Sequence, residues 1–96
     1  MDLCAAITGR HLVSFVYDGH QRTAIPAAYG KHKTTGNTVL RAYQIGGTSS
    51  SRSVPLWDLF LVEKIINCTV LDEIFTADPP SYARGDKHMS EIYCQL

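Results

Sequence analysis

The apolar residues of this chain come in short runs that turn residues interrupt, and this spacing leaves no room for long helices. Residues 12–17 are rich in β-branched and aromatic side chains, as strands are. Asp18-Gly19 follows, a pair that supplies the positive φ angles of a tight hairpin turn. Further short runs separated by polar residues continue to about residue 71, so the sequence predicts a mostly β fold.

Five strands preceded by one short helix are predicted along the chain. Asp2 can cap a helix over residues 3–8 that Gly9 ends. The strands cover residues 12–17, 21–29, 38–45, 57–62 and 66–71. Pro26 cannot donate to a ladder and indicates an edge or a bend in the second strand. Because short strands bury little as a flat sheet, we expect them to curl into a small barrel that the helix plugs at one end.

A chain of 96 residues is long enough for one domain and too short for two. We divide it into a barrel over residues 1–75 and a C-terminal tail over residues 76–96 that packs on the barrel. Asp78-Pro79-Pro80 interrupts regular structure at the start of the tail, and Ile92-Tyr93 near its end can pack back or form a short strand. A tail that crosses the third strand would act either as a lid or as an occluding plug over the face that it covers.

Charge is unevenly distributed although its sum is zero. Residues 1–57 hold six basic and two acidic residues, a net charge of +4, and residues 58–96 hold three basic and seven acidic residues, a net charge of −4. Such asymmetry can mark a surface that binds polyanions. It can equally reflect two halves of one domain that attract each other in the folded state.

The cysteines and the hydropathy of the chain indicate a cellular location. Cys4, Cys68 and Cys94 are odd in number, far apart and without a CxxC pair, which argues against a disulfide framework and against a zinc site. We expect Cys4 and Cys68 to pack as small apolar side chains and Cys94 to be exposed. No basic and apolar leader opens the sequence and no apolar run approaches the length of a membrane span, so we predict a cytoplasmic protein that does not contact a membrane.

The order of the predicted elements resembles the Sm-like small barrels, and five segments resemble the WYL domain in particular. These segments are the helix over residues 3–7 with Arg10, the hairpin over residues 13–19, Arg22 with Ile25-Pro26, residues 40–43, and residues 57–65. They cover about residues 3–75. The sequence departs from the family at Thr38-Val39-Leu40, where the family has Trp-Tyr-Leu, and at Asp58 and Lys64, where the family has arginines.

The resemblance implies a regulatory sensor that binds nucleic acid or nucleotide-like ligands through a basic and aromatic surface. Arg41 and Tyr43 lie two apart on one strand and point to the same side, although periodicity does not say which side faces inward. Arginine offers a planar fork for phosphate, and tyrosine offers a face on which a base can stack. The candidate ligand-binding residues are Arg22, Tyr29, Lys31, Lys33, Arg41, Tyr43 and Arg52. The alternative is that the tyrosines belong to the core and the basic residues are simply solvated.

Catalysis has little support in the sequence. The four histidines are scattered, and neither a nucleophile elbow nor a P-loop occurs. We therefore expect a non-enzymatic protein without metal or cofactor. Two functions remain open at this point, namely a module that binds single-stranded nucleic acid or a nucleotide-like ligand, and an assembly subunit that forms homo-oligomers or binds a protein partner through its strand edges.

Overall fold

The computed structural model describes residues 2–49 and 53–96, so the candidate residue Arg52 lies outside the described residues. One helix and six strands are observed: α1 Leu3–Gly9, β1 His11–Tyr17, β2 His20–His32, β3 Thr38–Gly47, β4 Leu56–Leu61, β5 Ile66–Ile74 and β6 Met89–Gln95. A 3-10 turn, Val62–Lys64, joins β4 to β5. The predicted mostly β class is confirmed.

Local signals in the sequence form the start of the first helix and the first hairpin as predicted, but the helix includes Gly9, where the sequence predicted its end. The Asp2 carboxylate accepts the Ala5 N–H at 2.9 Å and caps α1. The helix ends at Arg10, which adopts the left-handed conformation with a φ of 58°. Asp18 and Gly19 have φ angles of 51° and 76°, so both turn residues between β1 and β2 lie in the region that a tight hairpin requires.

All six strands belong to one antiparallel sheet with the order β4-β3-β2-β1-β5, and β6 pairs with β2 beside this path. The long strand β2 has two partners along the same edge, because it pairs with β1 up to Ala24 and with β6 from Ala28 onwards. Pro26 lies at this change of partner, and the register against β3 shifts by one residue around Ala27. The bend predicted at Pro26 is therefore a β-bulge, and it places Tyr29 on the opposite face of the strand from Thr23.

The sheet is open, and it differs from the predicted closed barrel of five strands. In the part of the chain that the structure describes, no ladder joins β4 to β5, and the tail supplies a sixth strand. The register of β5 against β1 shifts twice, and Asn67 in β5 has a φ of 52°, so the strand twists irregularly along its length. Side chains connect β1 to β4 instead, because the Leu61 N–H donates to the Tyr17 hydroxyl at 3.1 Å and the Tyr17 ring packs edge-on against Phe60.

Two apolar clusters lie on opposite faces of the curled sheet. The inner cluster joins Leu3 and Ile7 of α1 to Phe15 and Phe60, whose rings meet edge-to-face at 5.0 Å. Burial of each such side chain stabilises the fold by roughly 1.5–3 kcal/mol. The outer cluster contains Ala28, Val39 and Met89, and it forms because the pairing of β6 with β2 brings Met89 to this face.

A disulfide between Cys4 of α1 and Cys94 of β6 joins the two ends of the described chain. The prediction of unpaired cysteines was wrong here, because the return of β6 brings together two residues that are separated by 90 positions. Cys68 is a free thiol that packs against the inner cluster, as predicted. Burial raises the pKa of this thiol.

The described residues contain no helix with the length and hydrophobicity that crossing a membrane requires.

Candidate functional site

Arg41 and Tyr43 lie on the outer face of β3, which settles the orientation that the sequence left open. The intervening residues of β3 (Leu40, Ala42 and Gln44) are fully buried on the inner face. Across the ladder, Arg41 pairs with Leu59 and Tyr43 pairs with Trp57 of β4. The predicted placement of Arg41 and Tyr43 on one side of the strand is confirmed.

Aromatic side chains from β3, β4 and the tail form a continuous row next to Arg41. The Tyr43 and Trp57 rings are 5.2 Å apart, and the Trp57 ring stacks on Tyr82 at 6.3 Å with an interplanar angle of 25°. The Trp57 indole N–H donates to the Pro80 carbonyl at 2.8 Å, which fixes the ring against the tail. Tyr82 is held in turn because its hydroxyl donates to the Leu96 carbonyl at 3.1 Å.

A cavity of about 430 Å³ lies between this outer face and residues 79–88, which we call the tail loop. Arg41 and Trp57 line it from the sheet, and Tyr82, Asp86 and His88 line it from the tail loop. We call this cavity the β3–tail pocket. Its size falls within the range of small-molecule sites, and it combines an apolar aromatic wall with a few charged groups, as such sites do.

Arg41 is paired with Asp86 inside the β3–tail pocket. Its Nε donates to one carboxylate oxygen of Asp86 at 2.7 Å and its Nη2 to the other at 3.4 Å, so the guanidinium faces the carboxylate side-on. Arg41 Nη2 also lies 3.0 Å from His88 Nδ1. Burial raises the pKa of Asp86, but the hydrogen bonds from Arg41 and from the His88 N–H and the positive charge of Arg41 outweigh it, so this pKa lies below its usual value.

Arg22, in contrast, points into the core of the sheet and does not reach this surface. Its side chain is 2% exposed, and its guanidinium lies 5.3 Å from the centre of the Tyr17 ring and 5.5 Å from that of Phe60. It donates to Gln44 Oε1 at 3.2 Å and to the Tyr17 carbonyl at 3.1 Å, whereas its Nε has no partner. Arg22 pairs with Phe15 in the β1–β2 ladder, and Phe15 faces the core, which is why the sequence pattern misplaced it.

The other predicted site residues are spread over different parts of the surface. Tyr29 faces the inner cluster and lines a second cavity of about 420 Å³. Its ring packs edge-to-face against Tyr93, with 5.3 Å between the ring centres. Lys31 and Lys33 are exposed at the end of β2 and in the turn that follows it. Of the predicted site residues, Arg41 therefore lines the β3–tail pocket and Tyr43 lies beside it against Trp57, whereas Tyr29, Lys31 and Lys33 lie outside it.

Trp57, Tyr82, Asp86 and His88 are pocket residues that the sequence analysis did not select. Trp57 had a usable signal, because the residue directly opposite Tyr43 on the next strand must share its face. The residues of the tail loop had none, since their position depends on the pairing of β6 with β2 and on the disulfide. Within the described residues, no group of three or more His, Cys, Asp and Glu side chains is arranged to hold a metal ion.

The two charged halves of the chain meet in this region. Arg10 pairs with Asp78 and Arg41 pairs with Asp86, so each ion pair joins a basic residue of the first half to an acidic residue of the tail. The charge asymmetry of the sequence is thus partly neutralised within the molecule.

No protein-family model, no curated protein and no solved structure matches the chain.

Proposed function

We propose that this protein is a non-catalytic ligand-binding module that takes a small nucleotide-like ligand in the β3–tail pocket. The observation that carries the proposal is the convergence of Arg41 and Trp57 on one cavity of about 430 Å³. A guanidinium binds phosphate or carboxylate through paired donors, and an indole face stacks on a planar ring. Both groups together match a ligand that has one anionic end and one flat end.

The shape of the β3–tail pocket favours a small ligand over a nucleic-acid strand. Proteins that bind single strands combine an open basic groove with a series of stacking platforms. Here the tail loop covers one side of the aromatic row through the contacts of Trp57 with Pro80 and Tyr82. Lys31 and Lys33 are available to a polyanion, but they lie outside the pocket that contains the aromatic side chains.

The resemblance to the WYL domain supports the same class of function. The short helix followed by five antiparallel strands in chain order fits the Sm-like plan that the resemblance implies, and β6 adds to this plan. We therefore also propose that the chain is a divergent WYL-type domain of Sm-like architecture, acting as a regulatory sensor.

The single tryptophan of the chain makes the proposal testable without a label, because Trp57 lies in the pocket wall. Trp57 fluorescence and isothermal titration calorimetry would be followed during titration with adenosine monophosphate and, separately, with a ten-nucleotide oligo(dT). We expect adenosine monophosphate to bind, and we expect Arg41→Ala to lose at least tenfold in affinity while Lys33→Ala, which changes an exposed charge outside the pocket, stays within twofold.

Three results would decide between the ligand classes. Binding of oligo(dT) that weakens steeply with salt and depends on Lys31 and Lys33 would indicate a strand-binding surface instead of a pocket. Binding of adenosine monophosphate that Arg41→Ala leaves unchanged would show that the site is elsewhere. Absence of binding by the folded wild-type protein to either probe would contradict the nucleotide-like ligand.

A second candidate function is assembly through β5, and exposed apolar side chains on this strand favour it. Ile66, Val70 and Ile74 are among the most exposed large apolar residues of the described chain, and β5 lies at the end of the strand order. Such an edge can pair with a strand of another chain. Sedimentation of the wild type and of Ile74→Lys would test this. A wild-type dimer or ring at low micromolar concentration that the variant dissociates is expected, and a wild-type monomer would contradict assembly through β5.

A further inference from the structure

We propose that the tail loop is a displaceable arm whose Asp86 carboxylate occupies Arg41 as the anionic group of the ligand would, so that ligand binding requires the release of Asp86. This inference rests on the proposed function of the β3–tail pocket and names how that site is regulated. The ligand group concerned is a phosphate or a carboxylate, because these are the groups that a guanidinium binds side-on through two donors.

The geometry of the ion pair supports this substitution. Asp86 presents its two carboxylate oxygens to Nε and Nη2 of Arg41 at 2.7 and 3.4 Å, which is the arrangement that an external carboxylate or phosphate would adopt. The Arg41 side chain is 22% exposed and the Asp86 side chain 9%. An anion that enters the pocket therefore meets an arginine whose Nε and Nη2 already face the Asp86 carboxylate.

The tail loop is held firmly at Pro79 to Tyr82 and at His88, and the segment between these anchors is exposed enough to move. Pro79 is buried and the Pro80 carbonyl accepts the indole N–H of Trp57 at one end. At the other end, the backbone N–H of Lys33 donates to the His88 carbonyl at 2.9 Å. Between these anchors, Ala83, Arg84 and Gly85 are exposed.

Gly85, directly before Asp86, has the freedom that such a movement needs. Its φ is 76°, and a Cβ built at this position would meet no atom within 4 Å. The chain is therefore unobstructed at Gly85, where glycine tolerates both signs of φ at no steric cost. Its N–H donates to the Gln95 side chain at 2.9 Å, an exposed contact that can exchange with water.

The size of the effect follows from competition. When only a fraction of the molecules has Arg41 free, the apparent affinity for an anion falls by that fraction. If Asp86 is bound to Arg41 about ten times as often as it is released, removal of its charge is expected to tighten anion binding by about tenfold. Removal of a carboxylate elsewhere on the tail should change the affinity little, since salt screens distant surface charges.

The test compares three proteins in titrations with adenosine monophosphate, followed by Trp57 fluorescence and calorimetry. In Asp86→Asn the carboxylate that competes for Arg41 is removed with almost no change in side-chain size. Asp78→Asn is the matched control. It removes an equal charge from the tail, but the ion pair that it breaks is the one with Arg10 and not the one with Arg41. The double variant Arg41→Gln/Asp86→Asn keeps a neutral hydrogen-bonding pair at the same position, and circular dichroism with thermal melting verifies that each variant is folded.

We expect Asp86→Asn to bind at least ten times more tightly than the wild type, Asp78→Asn to stay within twofold, and the double variant to lose binding. If Asp86→Asn binds as weakly as the wild type or more weakly, Asp86 does not compete with the ligand for Arg41, and the proposal is overturned. An equal gain in Asp78→Asn would also overturn it, because the effect would then be one of net charge.

A failure of the proposed ligand class can be separated from a failure of this inference. If neither the wild type nor Asp86→Asn binds adenosine monophosphate, the nucleotide-like ligand is wrong, and inorganic phosphate is then the probe. A phosphate-dependent change of Trp57 fluorescence in Asp86→Asn that the wild type and the double variant lack supports the displaceable arm. The same phosphate response, or none, in all three proteins overturns it.

Discussion

The Cys4–Cys94 disulfide should contribute a large part of the stability of this fold, and replacing both cysteines by alanine tests this. The bond joins residues separated by 90 positions, so it restricts nearly the whole unfolded chain. The chain-entropy relation for a loop of this length gives a loss of about 4.6 kcal/mol at 25 °C when the cross-link is removed. A domain of this size has a total stability of roughly 5–14 kcal/mol, so the variant should lose a third of it or more.

Urea unfolding followed by Trp57 fluorescence measures this loss as the change in the free energy of unfolding. Cys68→Ala is the control, because it removes a thiol but leaves the disulfide intact, and we expect it to cost about 1 kcal/mol. Titration of the unfolded, unreduced wild type with Ellman's reagent should find one thiol per chain. A loss below about 1 kcal/mol in the double alanine variant would refute the entropic reasoning, and three reactive thiols would refute the pairing itself.

The same experiment bears on the cytoplasmic location that the sequence predicts. Disulfides persist in oxidising compartments and are reduced by thiols in the cytosol. A protein that keeps its fold only with Cys4 and Cys94 joined would be expected in an oxidising environment. A cytoplasmic location therefore requires that the reduced protein remain folded at physiological temperature, which thermal melting with and without reductant measures directly.

Three further comparisons of variants test the structure at other points. Arg22→Met should be more stable than Arg22→Ala by about 2 kcal/mol, because methionine fills much of the space of the buried side chain whereas alanine leaves a cavity; equal urea midpoints would contradict this. Gly30→Ala should destabilise the fold by about 1–3 kcal/mol in thermal melts, because its Cβ would lie 2.2 Å from the Glu91 carbonyl oxygen, whereas Gly46→Ala should cost less; the reverse order would contradict the β2–β6 pairing. The pKa of Asp86 is lower in the folded than in the unfolded state, so the wild type should be more stable than Asp86→Asn above pH 3.8. This difference in the free energy of unfolding should vanish as the pH falls through the folded pKa. A difference that persists in acid would exclude the ion pair as its source.

The parts of the fold that depend only on residues adjacent in the sequence could be predicted from the sequence. The Asp2 cap, the Asp18-Gly19 turn and the bend at Pro26 are all set by the conformational preferences of one or two residues, and all are observed. The bulge beside Pro26 could not be located, because it depends on how β2 exchanges one partner strand for another. A bulge inverts the faces of every residue beyond it, so Thr23 and Tyr29, which regular alternation would place on one face of β2, lie on opposite faces.

The candidate site was predictable only where one strand determines it. Arg41 and Tyr43 share a face because strand geometry requires it. Arg22 satisfied the same chemical criteria, but its position opposite the buried Phe15 directs it into the core. A single-sequence pattern does not reveal this partner, since arginine is far more often exposed than buried.

The charge asymmetry of the sequence has one physical consequence that connects the fold to the proposed site. If the basic half formed an open polyanion surface, Arg41 would be free in the absence of ligand. Instead it reaches 45 residues along the chain to Asp86, and Arg10 reaches 68 residues to Asp78, so the acidic tail is attracted to the half that it neutralises. The same attraction that helps to fold the tail across β3 therefore sets the competition for Arg41. A ligand can displace Asp86 only if it binds Arg41 better than a tethered carboxylate does, and an anion that also stacks on Trp57 meets this condition where a simple salt ion does not.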